Sequence, residues 1–221
     1  MVYRYLNEQF GIQALQQRRW KIGRLLELND PLDCQPRLQR SGSPEHLSVG
    51  DDPYFADIYD NLGIICYSKW IDDPVIWSHY ADSHQGMAFG FEFGPDQGLF
   101  EVRYPEDDSR AVINYDELER LKKSRANDAL LKVISHGFTQ KAKSWAYEGE
   151  FRQFIFLDGC KMIGPHYFRG MPIPNLRKIV LGVKCGVTVS DIRRIKSRWK
   201  TPHDIEVISA RIDEYTYRIQ I

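Results

Sequence analysis

Residues Leu62–Ser68 (LGIICYS) form an apolar run without a single charge, ending in a hydroxyl. Its length, its isoleucines and the turn residues beyond it predict a β-strand buried on both faces. Such a strand requires layers of structure above and below it, which excludes a bare helical bundle or an isolated two-stranded ribbon. The rest of the chain can supply those layers. Leu, Ile, Val and Phe recur along all 221 residues, so bulk disorder is excluded, and a chain of this length predicts one domain over residues 1–221.

Around that strand the pattern alternates irregularly. Val2–Leu6 reads as a strand and Glu8–Arg19 as a helix. Asp72-Asp73-Pro74 places an acidic cap before a first-turn proline and predicts a short helix to about Asp82, ended by Gly86. Met87–Phe93 (MAFGFEF) then sets Met87, Phe89, Phe91 and Phe93 on one face of a strand, with Phe100–Tyr104 as its expected partner. Asp116–Ala142 is the longest helical pattern. Phe151–Leu157 and Leu176–Val183 read as strands, Thr188 or Ser190 with Asp191 opens a helix to about Lys200, and Ile205–Arg211 with Tyr215–Ile221 reads as a hairpin. Strands and helices without regular βαβ alternation predict an α+β fold of mixed and antiparallel sheets with flanking helices. Gln35–Pro53, rich in Ser, Gly, Pro and Asp, is expected to be a flexible loop or insertion flanking a cleft.

Several function classes are disfavoured early. Thirty basic residues balance thirty acidic ones, so no global field draws the chain to nucleic acid or anionic lipid. No segment approaches the roughly 18 apolar residues of a membrane span, and the N-terminus lacks the apolar core of a secretory leader. Four scattered cysteines predict reduced thiols in a cytoplasmic protein rather than a disulfide framework. No HExxH, P-loop or Rossmann glycine pattern occurs, so neither a metal site nor a common nucleotide cradle is expected.

Four polar blocks carry the candidate chemistry. Asn29-Asp30-Pro31-Leu32-Asp33 reads as a turn, in which Asn29 or Asp30 caps the backbone or lines a pocket. Ser68 either ends the sheet or orients a neighbouring carboxylate. On the helix that follows, Trp77, Tyr80, Ala81 and His84 share a face suited to core packing or to gripping a flat ring, with His79 beside it. In Trp145–Arg152, Glu148 and Glu150 stand one residue apart, roughly 7 Å along a strand. That is an acid/base arrangement if the pair faces a pocket, or the start of an exposed strand with a surface Glu150–Arg152 ion pair if it does not.

These blocks, in this order, resemble the bacterial domain-of-unknown-function family 2971. The matching residues are Tyr3–Tyr5, Asn29–Asp33, Ile65–Ser68, Trp77–Gly86 and Trp145–Arg152, with a weaker match at Ile179–Gly182. More distantly, a basic residue on the first strand, a serine ending a middle strand and a glutamate opening a later one resemble the Arg–Ser–Glu triad of ADP-ribosyltransferases. There, a paired E-x-E marks enzymes that modify arginine. This chain departs from that pattern in its long gap from Ser68 to Glu150 and in lacking a Ser-Thr-Ser motif.

The second resemblance implies an NAD-using enzyme, a transferase or a glycohydrolase, with a role in conflict between bacteria and phage. Arg4 would bind the diphosphate, Glu150 would stabilise positive charge on the ribose, Ser68 would orient Glu150, and Tyr80 or Trp77 would stack on nicotinamide. Glu148 would take a proton from the nucleophile, which a protein or nucleic-acid acceptor could supply, or would be idle if water is the acceptor. The contrasting expectation is a non-catalytic module in which Tyr3, Tyr5, Trp77, Tyr80 and Trp145 form an aromatic pocket for a nucleotide. A metal-dependent hydrolase built on Asp30, Asp33, His79 and Glu150 ranks last, for want of ligand spacing.

Overall fold

The computed structural model describes residues 1–42, 46–47, 53–124, 127–201 and 203–221. In chain order the elements are β1 (Val2–Leu6), α1 (Glu8–Gln17), β2 (Arg19–Arg24), β3 (Arg37–Gln39), β4 (His46–Leu47), α2 (Pro53–Asn61) and β5 (Leu62–Ser68). Next come α3 (Pro74–Tyr80), β6 (Met87–Phe91), β7 (Leu99–Glu101), β8 (Val112–Asn114), α4 (Tyr115–Ser124), α5 (Asn127–Gly137) and β9 (Glu150–Phe156). The remainder comprises β10 (Lys161–Ile163), β11 (His166–Gly170), β12 (Leu176–Leu181), α6 (Val189–Lys196), β13 (Glu206–Ser209), β14 (Arg211–Ile212) and β15 (Ile219–Gln220). Helices packed on a mixed, largely antiparallel sheet make this an α+β fold. Among the described residues no helix is long and apolar enough to cross a membrane.

β5 is the hub of the main sheet. One of its edges pairs with β9 along the whole strand, from Leu62↔Phe156 to Ser68↔Glu150. The other edge is shared: β2 takes its start, at Gly63 and Ile64, and β1 takes its end, at Ser68. From there β1 leads through β6 and β12 to β13, while β2 leads to β11 and β10. The sheet therefore splits between β1 and β2, and Ile65–Tyr67 has a ladder partner on one edge only.

Both faces of β5 are covered. Ile65 and Tyr67 enter a core with Trp20, Phe89, Phe91 and Leu15 of α1, while Leu62 and Ile64 enter a second core with Phe55, Ile113, Leu118 and Phe138. A third, smaller cluster gathers Trp77, Ala81, Ala88 and Val180. Each large apolar side chain withdrawn in this way contributes about 1.5–3 kcal/mol, before the cost of ordering the chain.

Local chemistry sets the ends of several elements. Asn7 caps α1 by accepting from the Phe10 amide, and Asp73 caps α3 by accepting from Val75 and Ile76 ahead of Pro74. Thr188 and Asp191 form a reciprocal capping box on α6. After α3 the chain runs through left-handed Asp82, Ser83 and His84 to Gly86, where a Cβ would lie 2.1 Å from the Leu6 carbonyl oxygen. Gly182, whose amide donates to the Gly86 carbonyl, has equally little room. Close backbone approach, and not ligand binding, thus accounts for the glycines of two of the sequence blocks.

Other expectations are corrected. The helix from Glu8 stops at Gln17, because Arg18 turns left-handed (φ 52°) and the chain begins β2. The partner of β7 is β9 and not β6. Of the long helical pattern, α4 and α5 are helical and residues 125–126 lie outside the described residues; α5 ends at Gly137, short of the expected Ala142. The expected terminal hairpin forms only at Arg211–Ile212 and Ile219–Gln220, where β14 and β15 pair antiparallel; the rest of its first arm, β13, joins β12 in parallel. Within the expected loop, Arg37–Gln39 is a strand between β8 and β4; residues 43–45 and 48–52 of that expectation lie outside the described residues.

Candidate functional site

The split in the sheet opens into a cleft of about 240 Å³. Of the sequence candidates, Tyr3, Arg4, Tyr5, Asn29, Ser68, Tyr80, Glu148 and Glu150 line it, joined by Asp33, Cys66, Tyr67 and Lys141. Chain segments far apart in sequence supply these groups, and the reasons they meet are local. Gly149 adopts a left-handed conformation (φ 48°) between a 3-10 turn, Lys143–Glu148, and β9. A Cβ there would strike the Trp70 indole at 2.6 Å, so glycine lets the chain fold tightly enough to aim both glutamates at one cavity. Period-two alternation is not the cause.

One wall is a buried charge cluster. Arg152, fully inaccessible to solvent, grips Glu150 through Nε and Nη2 at 2.8 Å each, and Asp33 through Nη1 and Nη2 at 2.8 and 2.7 Å. It also donates to the Phe138 carbonyl at 2.6 Å. Lys141 Nζ donates to Glu148 Oε2 at 2.6 Å and lies 3.5 Å from Glu150 and 3.6 Å from Asp33. The Tyr80 phenol donates to Glu148 Oε1. Three carboxylates thus face two cations, leaving one formal negative charge at the cleft. The expected surface ion pair between Glu150 and Arg152 is instead a buried one, and it is the scaffold of this wall.

The two glutamates titrate in opposite directions. Burial pushes Glu150 upward, but Arg152 and Lys141 outweigh it and hold the carboxyl down at about 2. Glu148 goes up, because burial outweighs the help of Lys141 and Tyr80. One is a fixed anion, and the other is placed to exchange a proton. Burial opposes the charge of Lys141, yet Glu150, Glu148 and Asp33 raise its pKa above the usual lysine value. Tyr80 is raised by burial and by its bond to Glu148.

The opposite wall differs in kind. Arg4 leans over the Trp20 ring at 5.1 Å and donates from Nη2 to the Lys21 carbonyl across the split. Its Nη1 is withdrawn from solvent and has no hydrogen-bond partner. Among the described residues, no carboxylate forms a salt bridge with it. Burial accordingly lowers its pKa, opposed only by Tyr67 and Cys66.

The remaining candidates fall elsewhere. Ser68 does not hold the Glu150 side chain; it donates to the Glu148 carbonyl at 2.5 Å and accepts from the Trp70 amide, so it fixes the backbone beside the cleft. Trp77 is fully buried in the third core and donates to the Ile71 carbonyl, so it stacks on no ligand. Asp30 caps its own turn through the Leu32 amide. His79 is exposed and sits against the Tyr147 hydroxyl at 3.1 Å. Arg152 lies behind the wall rather than in it. The sequence reading missed Lys141, which sits in a stretch with no spacing signal, and valued Asp33 only as a metal ligand.

Residues 76–153 match the family model described as "Protein of unknown function (DUF2971)". That match runs from α3 into β9, so it includes Tyr80, Lys141, Glu148, Glu150 and Arg152 and leaves out Arg4, Asn29 and Ser68. No curated protein matches the chain, and no solved structure does.

Proposed function

We propose that the cleft binds a dinucleotide of the NAD type and cleaves its nicotinamide–ribose bond. The supporting observation is the opposed polarity of the two walls. Arg4, whose Nη1 is withdrawn from solvent without a hydrogen-bond partner, and a cluster of net negative formal charge line one small cavity, with Tyr3, Tyr5, Tyr67 and Tyr80 around it. NAD carries the complementary pattern, an anionic diphosphate at one end and a cationic pyridinium on a ribose at the other. Guanidinium groups match phosphate oxygens bidentately, and Arg4 is the group in need of such a partner.

In the reaction, positive charge grows on the ribose as nicotinamide departs. Glu150, held ionised by Arg152, offers a fixed negative charge where it is needed, without reorganisation during the step. Glu148 is the carboxylate able to take up a proton. Ser68 acts at one remove, by anchoring the Glu148 backbone and the Trp70 amide.

The test is to incubate the purified protein with NAD and follow nicotinamide release. Release by the wild type, lowered on the order of 10²–10³-fold in Glu150→Gln, supports catalysis. A second reading, a binding module without turnover, draws on the complete internal pairing of the acid wall. Binding of NAD without nicotinamide release would favour it over the enzyme.

A further inference from the structure

The even charge balance of the whole chain conceals a local surplus. Residues 176–221 carry ten lysines and arginines against five aspartates and glutamates. They build the β12–β13 end of the main sheet, with α6 and the β14–β15 hairpin beside it. Most of the acids there are already committed. Asp191 pairs with Arg194 at 2.9 Å, Asp204 with Lys196 at 2.7 Å and Glu206 with Lys178 at 2.9 Å. Asp213 accepts from the Tyr215 and Thr216 amides in the hairpin turn. Arg193, Arg198, Lys200 and Arg211 are exposed and form no salt bridge among the described residues.

A groove of about 600 Å³ lies here between α6, β13 and the hairpin. Lys178, Arg193 and Arg211 line it, and its acidic side chain, Glu206, is the one bonded to Lys178. Arg193 reaches only the Val207 carbonyl, at 3.5 Å. The hairpin forms one side of the groove through Arg211 and Gln220, and carries Tyr215 and Tyr217 in its turn. These two rings are 93% and 99% exposed. A cationic groove is what a phosphate backbone follows, and aromatic rings with open faces are what unpaired bases stack on. A second copy of the chain would bring the same cations against these. A lipid surface, being flat, would not enter the groove.

We infer that this end of the sheet binds single-stranded nucleic acid. Arg193 and Arg211, with Arg198 and Lys200 after α6, hold its phosphates, and Tyr215 and Tyr217 stack on its bases. The inference is independent of the NAD reading, since none of these residues lines the cleft. A duplex offers the same backbone but no unpaired base, so the single strand is preferred. Neutralising three or four phosphates makes log K fall against log salt concentration with a slope of about −2 to −3. Glu214, exposed in the same turn and without a salt bridge, opposes the strand.

The experiment follows the fluorescence anisotropy of labelled 16-nucleotide oligo-dT and oligo-rU, and of a 16-base-pair duplex, as the full-length protein is added in 50–300 mM NaCl. The expected result is binding of the single strands, tighter than of the duplex, with the slope given above. Arg193→Glu combined with Arg211→Glu should weaken binding at 50 mM NaCl at least about tenfold and flatten the slope by about 1.4, the share of two phosphates. Tyr215→Ala and Tyr217→Ala should each weaken it about 5–150-fold, the worth of one stacked base, and leave the slope unmoved. Glu214→Gln should tighten it. All these side chains are exposed, so each variant should keep the wild-type circular dichroism; if the arginine pair does not, the tyrosine variants carry the test. No anisotropy change, a duplex bound as tightly as the single strands, or affinity untouched by the arginine pair would overturn the inference. Sedimentation with phosphatidylcholine–phosphatidylglycerol vesicles, without oligonucleotide binding, would overturn it in favour of a lipid surface.

Discussion

The two walls of the cleft face each other across a single cavity and solve the problem of buried charge in opposite ways. On the acid side every charge has a partner, and Arg152 alone serves Glu150, Asp33 and the Phe138 carbonyl. On the other side Arg4 has one carbonyl and one aromatic face, and its Nη1 has nothing. A buried ion pair contributes little net stability, but it is expensive to break. A cationic donor withdrawn from solvent without an acceptor is costly as it stands. The contrast separates a wall shaped by the fold from a wall that needs an anionic partner to be complete.

Removing the hub of the acid wall should have the largest effect. Arg152→Met strands two carboxylates, so urea unfolding should show a loss of about 3–5 kcal/mol. Arg4→Met tests the other wall and should behave in the reverse manner. Stability should stay level or rise, while NAD affinity measured by calorimetry falls about 10–100-fold, the usual worth of a charged hydrogen bond. Equal destabilisation by the two variants would break the comparison.

Glu150→Gln lies between these cases. It keeps the shape but gives up the charge opposite Arg152, and should cost about 1.5–3 kcal/mol while the protein remains folded by circular dichroism. Acid should act on the same bond. Glu150 titrates at about 2 when folded and near 4.3 when unfolded, so folding depresses its pKa. Its contribution is therefore present above about pH 4.3 and lost as the pH falls towards 2. Denaturation midpoints at pH 7 and pH 3 measure it. The smallest effect belongs to Asp30→Ala, which removes a turn cap outside the cleft. It should cost about 1 kcal/mol or less and leave turnover unchanged.

Much of the scaffold was legible because it obeys short-range rules. LGIICYS gave β5 to the residue, Asp73-Pro74 gave the start of α3, and Thr188 with Asp191 gave that of α6. The failures share a long-range cause. Nothing near Leu99–Glu101 says that it joins β9 instead of the neighbouring β6, and nothing near Lys141 says that it enters a charge cluster. Trp77 shows the limit of residue type as a guide: an aromatic beside a polar block proved to be core. In W-x-Y-E-x-E-x-R the fully buried partner of Glu150 was present two positions away, but only its surroundings reveal that it is buried.

The double use of β5 has a further consequence, for how the chain comes into being. Its open edge is served by β1 and β2 from the first part of the chain, but its other edge waits for β9, and the Asp33–Arg152 link spans 119 positions. Contacts of such separation form slowly, since the loop must close before they reward it. A nascent chain that has not reached Glu150 leaves the β9 edge of an uncharged, β-rich segment, LGIICYS, unpaired, and such an edge is of the kind that recruits other copies of itself. The acid wall is thus completed late in synthesis, and the step that completes it is also the one that shields the segment most prone to aggregate.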